Sequence, residues 1–345
     1  MRFLLTLVLC CGIVTAPTYA RSNKKVSHSK KKASNTGERS RTAAAAILDP
    51  NAVNSATWNA QVPEHQQPDA ILRAQILLDR ANFSVGEIDG AMGSNMQRAV
   101  RGFQASRNLN ATGKLDDATW QALLADTGPA LSSYTISPDD VKGPFLQIPH
   151  EIADQAALPE LGYSSPQEGL GEKFHCKPEL LVKLNPGKTL SNGGEQIMAP
   201  VVKNDLGAPV ASITVDKTDT TVTAYDASGK VLAQFPATIG SEHDPLPIGT
   251  WKVTAVLHNP EFHYNPDLFW DAKPGDAKAT IKPGPNNPVG VVWIGLTKEH
   301  YGIHGTPVPS TIGHTQSHGC IRLTNWDAAR LAAGVSKGTT VICKE

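Results

Sequence analysis

The hydrophobic period changes at about residue 209, and that change divides the chain into a helical part and a strand-rich part. Before it, Ile71, Leu72, Gln75 and Leu78 fall at helical spacing, and Met96, Ala99, Val100 and Phe103 repeat the i, i+3, i+4, i+7 pattern. After it, Ile213-Thr214-Val215, the stretch 221–225 and the stretch 231–235 alternate or run apolar, with Asp226-Ala227-Ser228-Gly229 as a hairpin turn. Further strands are expected over 250–256, 290–296 and 339–343. A single late helix is expected over 326–333, opened by Thr324 or Asn325 and ended at Gly334. The fold class this implies is multidomain α+β, with 208–345 forming one mostly-β, sandwich-like domain.

The first twenty residues read as a secretory leader. Arg2 precedes an apolar run from Phe3 to Val14 that is short for a membrane span, and a small residue, Ala20, ends the segment. Residues 21–67 read as a basic, disordered linker, with Lys24-Lys25 and Lys30-Lys31-Lys32 and no apolar periodicity. Over the whole chain 32 basic residues balance 32 acidic ones, so bulk charge gives no reason to expect a nucleic-acid partner. Export would remove Cys10 and Cys11 and leave Cys176, Cys320 and Cys343. An odd count in an oxidising compartment leaves at least one thiol free within the chain, and a free thiol retained there points to chemistry. Cys176 and Cys343 are read either as a disulfide or as two buried thiols.

Residues 68–126 contain two helical stretches, a glycine-punctuated loop from Val85 to Gly93, and a third short helix with Thr119, Trp120 and Leu123. The Ile88-Asp89-Gly90…Gly93 loop, Ala99-Val100…Phe103-Gln104, Thr112-Gly113 and Leu115-Asp116…Thr119-Trp120…Leu123 resemble the three-helix peptidoglycan-binding domain. Met92 and Asn95 depart from that family, which more often has Phe and Thr there. Phe103, Trp120 and the leucines are assigned to the core. Within 132–202, Ser165-Pro166-Gln167-Glu168 has the form of a capping box, a second helix starts near Pro178, and strands near Tyr134 and Ile197 bracket the pair. This small βααβ unit resembles a divergent LysM module.

The chemistry concentrates in Tyr301-Gly302-Ile303-His304-Gly305-Thr306 and Ser317-His318-Gly319-Cys320-Ile321-Arg322. A thiol is a good acyl acceptor only as its thiolate, and an adjacent imidazole with local N–H dipoles lowers its pKa. Gly305 and Gly319 let a bulky peptide approach the backbone. The amides of His318, Gly319 and Cys320, if they converge, make an oxyanion hole.

This pattern, with Pro247-Ile248-Gly249-Thr250-Trp251, the stretch 283–290 and Arg322-Leu323-Thr324-Asn325 in support, closely resembles the L,D-transpeptidase catalytic domain. The resemblance implies Cys320 as nucleophile, His304 as general base, the Gly305 carbonyl as its orienting partner, and His318 and Gly319 around the oxyanion. Tyr301, Thr306, Ser317 and Arg322 are the implied substrate-holding residues. It implies no cofactor and no metal, and partners that are peptidoglycan stems and glycan. The acceptor is a second stem, giving 3→3 cross-links, a lipoprotein lysine, or water. The implied location is the periplasm or cell wall.

Two rival readings come from other classes. In one, His300, His304, His314 and His318 hold zinc in a wall hydrolase. Against it, 300–304 reads as strand, where i, i+4 spacing does not bring rings together, and no carboxylate sits at ligand spacing. In the other the chain is a non-catalytic wall-binding scaffold, against which the intact Cys320 and His304 stand. Of the aromatics Tyr264, Phe269, Trp270 and Trp293, all candidates to line the cleft, Phe269 and Trp270 sit in a Pro- and Asp-rich loop and are expected to form a lid.

Overall fold

In the computed structural model, residues 48–345 are described. The expected leader and the basic segment up to residue 47 lie outside them. A first helix, α1 (Pro50–Ser55), is capped by the Asp49 side chain and has Pro50 in its first turn, and its Val53 is fully buried. The expected linker therefore gives way to ordered structure by residue 49. The cap and the N1 proline were visible in the sequence, but one turn carries no periodicity.

Three helices follow: α2 (Pro68–Arg80), α3 (Ser94–Ser106) and α4 (Asp117–Leu123), the last capped by Asp116. Strand β1 (Leu131–Thr135), helices α5 (Ile152–Ala156), α6 (Pro166–Lys173) and α7 (Pro178–Leu184), and strand β2 (Gln196–Pro200) make the middle module, with β1 and β2 antiparallel. Helix α6 starts where expected, with Ser165 capping Glu168. Helix α5 is an addition to the expected βααβ unit, lying between β1 and α6. Ile71, Phe103 and Trp120 share one continuous core with Leu170, Leu180, Leu181 and Ile197, so these two modules are not separately cored. Cys176 lies in that shared core, far along the chain from Cys343 in the last strand; both are buried free thiols, not a disulfide.

The C-terminal body is built on β3 (Ser212–Asp216), β4 (Thr221–Tyr225), β5 (Val231–Pro236), β6 (Thr238–Ile239), β7 (Gly249–His258), β8 (Phe262–Tyr264), β9 (Ala279–Ile281), β10 (Val292–Leu296), β11 (Gly302–His304), β12 (Ile321–Arg322), α8 (Asn325–Gly334) and β13 (Thr340–Lys344). Nine strands run in the order β5-β4-β3-β13-β7-β10-β11-β12-β6, while β8 and β9 form a separate hairpin. The long strand β7 explains the sandwich character. Its first half pairs with β13 and its second half with β10, so a single strand serves both layers. Ile213, Val222 and Phe235 from one end of the sheet, and Ile294, Ile303 and Ile321 from the other, close one core with Ala328 and Leu331 of α8.

The helical part is hydrogen-bonded directly to this body. Ser84 N–H donates to the Gln234 carbonyl and Gln234 N–H to that of Asn82, so a short extended piece before α3 continues the sheet beyond β5. Beneath this seam lies a fully buried polar cluster. Arg330 of α8 donates to Asp79 of α2 at 2.6 Å and to Asp327 at 2.8 Å, Ser84 donates to Asp327, and His175 of the middle module meets Asp79 at 3.1 Å. Trp326 stacks on His175 with ring centroids 5.5 Å apart. Buried charges are tolerated only when paired, and here the pairs join all three modules.

Candidate active site

Strands β11 and β12 are parallel, with Ile303 opposite Ile321 and His304 opposite Arg322. Cys320, one residue before β12, therefore stands beside the strand that carries His304. Leu323 N–H donates to the His304 carbonyl at 2.8 Å and holds the two strands in this register.

His304 is 3% exposed. Its Nδ1 lies 2.7 Å from the Gly305 carbonyl, an acceptor only, so Nδ1 carries the proton and Nε2 is left as the basic nitrogen. Trp293 is the cross-strand partner of His304, and its ring stacks on the imidazole at 5.4 Å. Trp293 is thus neither plain core nor open cleft: its ring forms a wall against the His304 imidazole. Gly302 is required beside it, because a Cβ there would lie 2.6 Å from the Trp293 ring.

Burial disfavours the charged form of both the thiol and the imidazole. Burial, reinforced by the Arg322 guanidinium, pushes the His304 imidazolium down to about 3, against the opposing hydrogen bond to Gly305. Burial likewise pushes the Cys320 thiol up, although the Gly302 N–H and Arg322 favour its thiolate. Desolvation thus opposes the thiolate that the neighbouring imidazole is expected to favour, an effect no residue count reveals. Sγ instead donates to the His300 carbonyl at 3.6 Å.

The residues around the sulfur are held by specific contacts. Ser317 Oγ donates to the Cys320 carbonyl at 2.6 Å, and Ser317 N–H to Gly240. Gly319 has φ of 91°, and a Cβ there would lie 2.8 Å from the Tyr301 ring, so glycine is needed both for the turn and for that contact. The buried Thr306 accepts from Val308 N–H, so its hydroxyl braces the following loop. Arg322 Nε is buried with no hydrogen-bond partner among the described residues. A Cβ on Gly305 would fall 2.2 Å from Asn325 Oδ1, while Asn325 Nδ2 donates to Glu172 of the middle module at 2.8 Å. Asn325 thereby connects the middle module to the backbone that holds the base.

His318 faces the β8–β9 hairpin. Its Nε2 lies 2.9 Å from Asp271, Phe269 packs edge-on at 5.2 Å, and Trp270 lies at 6.0 Å while stacking on His243. The hairpin loop thus covers the His318 side of the thiol, and Tyr264 underpins it by packing on Phe269. Asp271 went unnoticed in the sequence, where an acid in a polar loop has no distinguishing mark. The other histidines disperse: His300 is exposed beside Glu299, and His314 lines a different pocket. Among the described residues no group of three or more His, Cys, Asp or Glu side chains is arranged to hold a metal.

Residues 211–343 match the family model of the L,D-transpeptidase catalytic domain, and residues 67–123 match that of a peptidoglycan-binding domain. The class is thereby an L,D-transpeptidase enzyme fitted with a peptidoglycan-binding domain. The L,D-transpeptidase YkuD of Bacillus licheniformis is 29% identical over 178 residues, covering 50% of this chain and 90% of that one. YkuD of Bacillus subtilis is 51% identical over 57 residues, or 16% of this chain and 35% of that one. An L,D-transpeptidase structure from Mycobacterium smegmatis shares 25% identity with a TM-score of 0.33, covering 45% of this chain and 65% of that one. A YkuD-type L,D-transpeptidase catalytic domain thus accounts for residues 211–343 of the chain.

Proposed function

We propose that the protein cross-links peptidoglycan stems through a thioester on Cys320. The observation that carries this reading is the free Nε2 of His304, set by Nδ1 on Gly305, on the strand beside the thiol. A tetrapeptide stem presents the carbonyl of its third, diamino residue to Sγ. As Sγ attacks, His304 Nε2 takes the thiol proton, and the N–H groups of His318, Gly319 and Cys320 receive the oxyanion. The C–N bond to the terminal D-Ala breaks, His304 returns the proton to the leaving amine, and a thioester remains. An acceptor amine then attacks, loses its proton to His304, and the sulfur leaves and regains that proton.

Tyr301, Ser317, Gly319 and Thr306 shape the cleft, and the unpartnered Arg322 Nε receives a stem carboxylate. A second stem as acceptor gives a 3→3 cross-link, a lipoprotein lysine attaches that protein to the wall, and water yields a carboxypeptidase. The middle module, a βααβ unit within 132–202, serves as a divergent LysM-like element, with 68–126 binding the wall and 208–345 catalysing. The enzyme works outside the cytoplasm, exported by a leader over 1–20 and tethered through the basic segment from 21. Incubating the full chain with disaccharide-tetrapeptides tests the activity: D-Ala release with dimer formation is expected, and neither should appear with His304→Ala. Undiminished dimers from that variant would contradict the reading.

A further inference from the structure

A second pocket, of about 70 Å³, opens where the three modules meet and contains none of the residues around Cys320. Its floor is the Val85–Gly93 loop, one wall is Lys177 of the middle module, and the opposite wall is Pro309, Ser310 and His314 from the segment between His304 and Cys320. We infer that this pocket binds a primary ammonium group of the peptidoglycan stem, with the Glu87 carboxylate as its counter-ion. The inference rests on the wall-linked reading above and extends it to a site apart from the thiol.

The walls are fixed. Ile88 N–H donates to the His175 carbonyl and Lys177 N–H to that of Ile88, which ties the floor to the middle module. Asn95, on the rim, donates to the Ile312 carbonyl and ties it to the catalytic segment. A site so held needs no rearrangement to receive a ligand.

The polar groups sort into satisfied and unsatisfied. Asp89 is taken up by Lys177 at 2.8 Å, by Gln75 at 3.0 Å and by Ala91 N–H at 2.9 Å. Glu87, two residues earlier and facing the same space, accepts no hydrogen bond among the described residues. Burial raises its carboxyl to about 7; Lys177 opposes this, while Asp89 and Glu179 add to it. A half-buried carboxylate whose nearest cation is committed to another acid gains most from an incoming cation with several N–H donors. The volume suits an ammonium on its methylene stem, and Ser310 is among the residues that line it.

Binding is measured by calorimetry on the full chain carrying Cys320→Ala, which cannot turn over. The probes are a tetrapeptide stem with a free side-chain amine and the same stem acetylated on that amine. The free amine should bind about tenfold more tightly, and Glu87→Gln should abolish that difference while leaving the acetylated stem's affinity unchanged. Equal affinities of the two stems for the parent, or a preference that survives Glu87→Gln, would overturn the inference. Carbapenem acylation of Cys320 in the Glu87→Gln chain reports the catalytic reading separately. Acylation intact, with no amine preference in the chain that retains Glu87, defeats only the ammonium site, whereas no acylation of the unsubstituted chain defeats the reading beneath it.

Discussion

Asn95 of the peptidoglycan-binding module donates its side-chain amide to the Ile312 carbonyl at 2.9 Å, in the loop that separates His304 from Cys320. Its Oδ1 accepts from Arg98 at 2.7 Å, which sets the amide's direction, and a Cβ on Gly313 would fall 2.3 Å from that oxygen. Thr238 of β6 holds the same loop from the other side, accepting from Gly313 N–H and donating to the Thr311 carbonyl. The wall-binding module thus braces the catalytic loop directly.

Asn95→Ala should therefore lower kcat about tenfold with little change in KM, since loss of loop placement degrades transition-state geometry more than binding. Steady-state kinetics on a stem substrate decide it, with a melting curve to confirm folding. An unchanged kcat would show that the brace is incidental.

The Asp79–His175–Arg330–Asp327 cluster makes a stability prediction. Arg330→Met leaves two buried acids without their cation and should cost about 3–5 kcal/mol in urea unfolding. Adding Asp79→Asn and Asp327→Asn removes the stranded charge and should recover part of that loss. Despite burial, Arg330 and His175 hold the Asp79 carboxyl down at about 2. Its folded value lies below the unfolded value of about 3.9, so its contribution is present above that pH and is lost as pH falls toward 2. A single variant within about 1 kcal/mol of the parent, the range of a surface change, would contradict the assignment.

The resting state at the sulfur predicts a pH profile. With burial raising the Cys320 thiol above its ordinary range, the rate of iodoacetamide alkylation at Cys320 should keep climbing past about pH 9. Peptide mapping separates Cys320 from Cys176 and Cys343. A plateau already reached below pH 7 would indicate a preformed thiolate–imidazolium pair instead.

The hairpin loop over His318 predicts a binding effect. Truncating Phe269 and Trp270 together to Ala removes the aromatic cover from one side of the cleft and should raise KM about tenfold, the scale of losing one or two buried aromatic contacts. No kinetic change would end the lid assignment.

How far the sequence could be read is clearest at particular residues. Thr324 as the cap of α8 and the strand character of β3 and β4 are local signals, and the structure has each of them. The His304 and Cys320 segments stood out because two histidines and a cysteine fall within a short stretch, and the strands that carry them pair. Asp79 was not: on α2 it looks like one more polar helix residue, and its partners His175 and Arg330 lie 96 and 251 residues away. Asn95 stood out as a departure, yet its meaning waited on Ile312, 217 residues on. The double duty of β7 was equally hidden, since periodicity reports which face is buried and not which neighbour it meets.

The central claim is that Cys320 carries the acyl group. Intact-protein mass spectrometry after mixing the full chain with a tetrapeptide stem, quenched in acid, tests it most directly. A mass increase equal to the stem less its terminal D-Ala is expected, mapped to Cys320 and absent from Cys320→Ala. An adduct on another residue, or the same mass increase in the Cys320→Ala chain, would overturn that assignment.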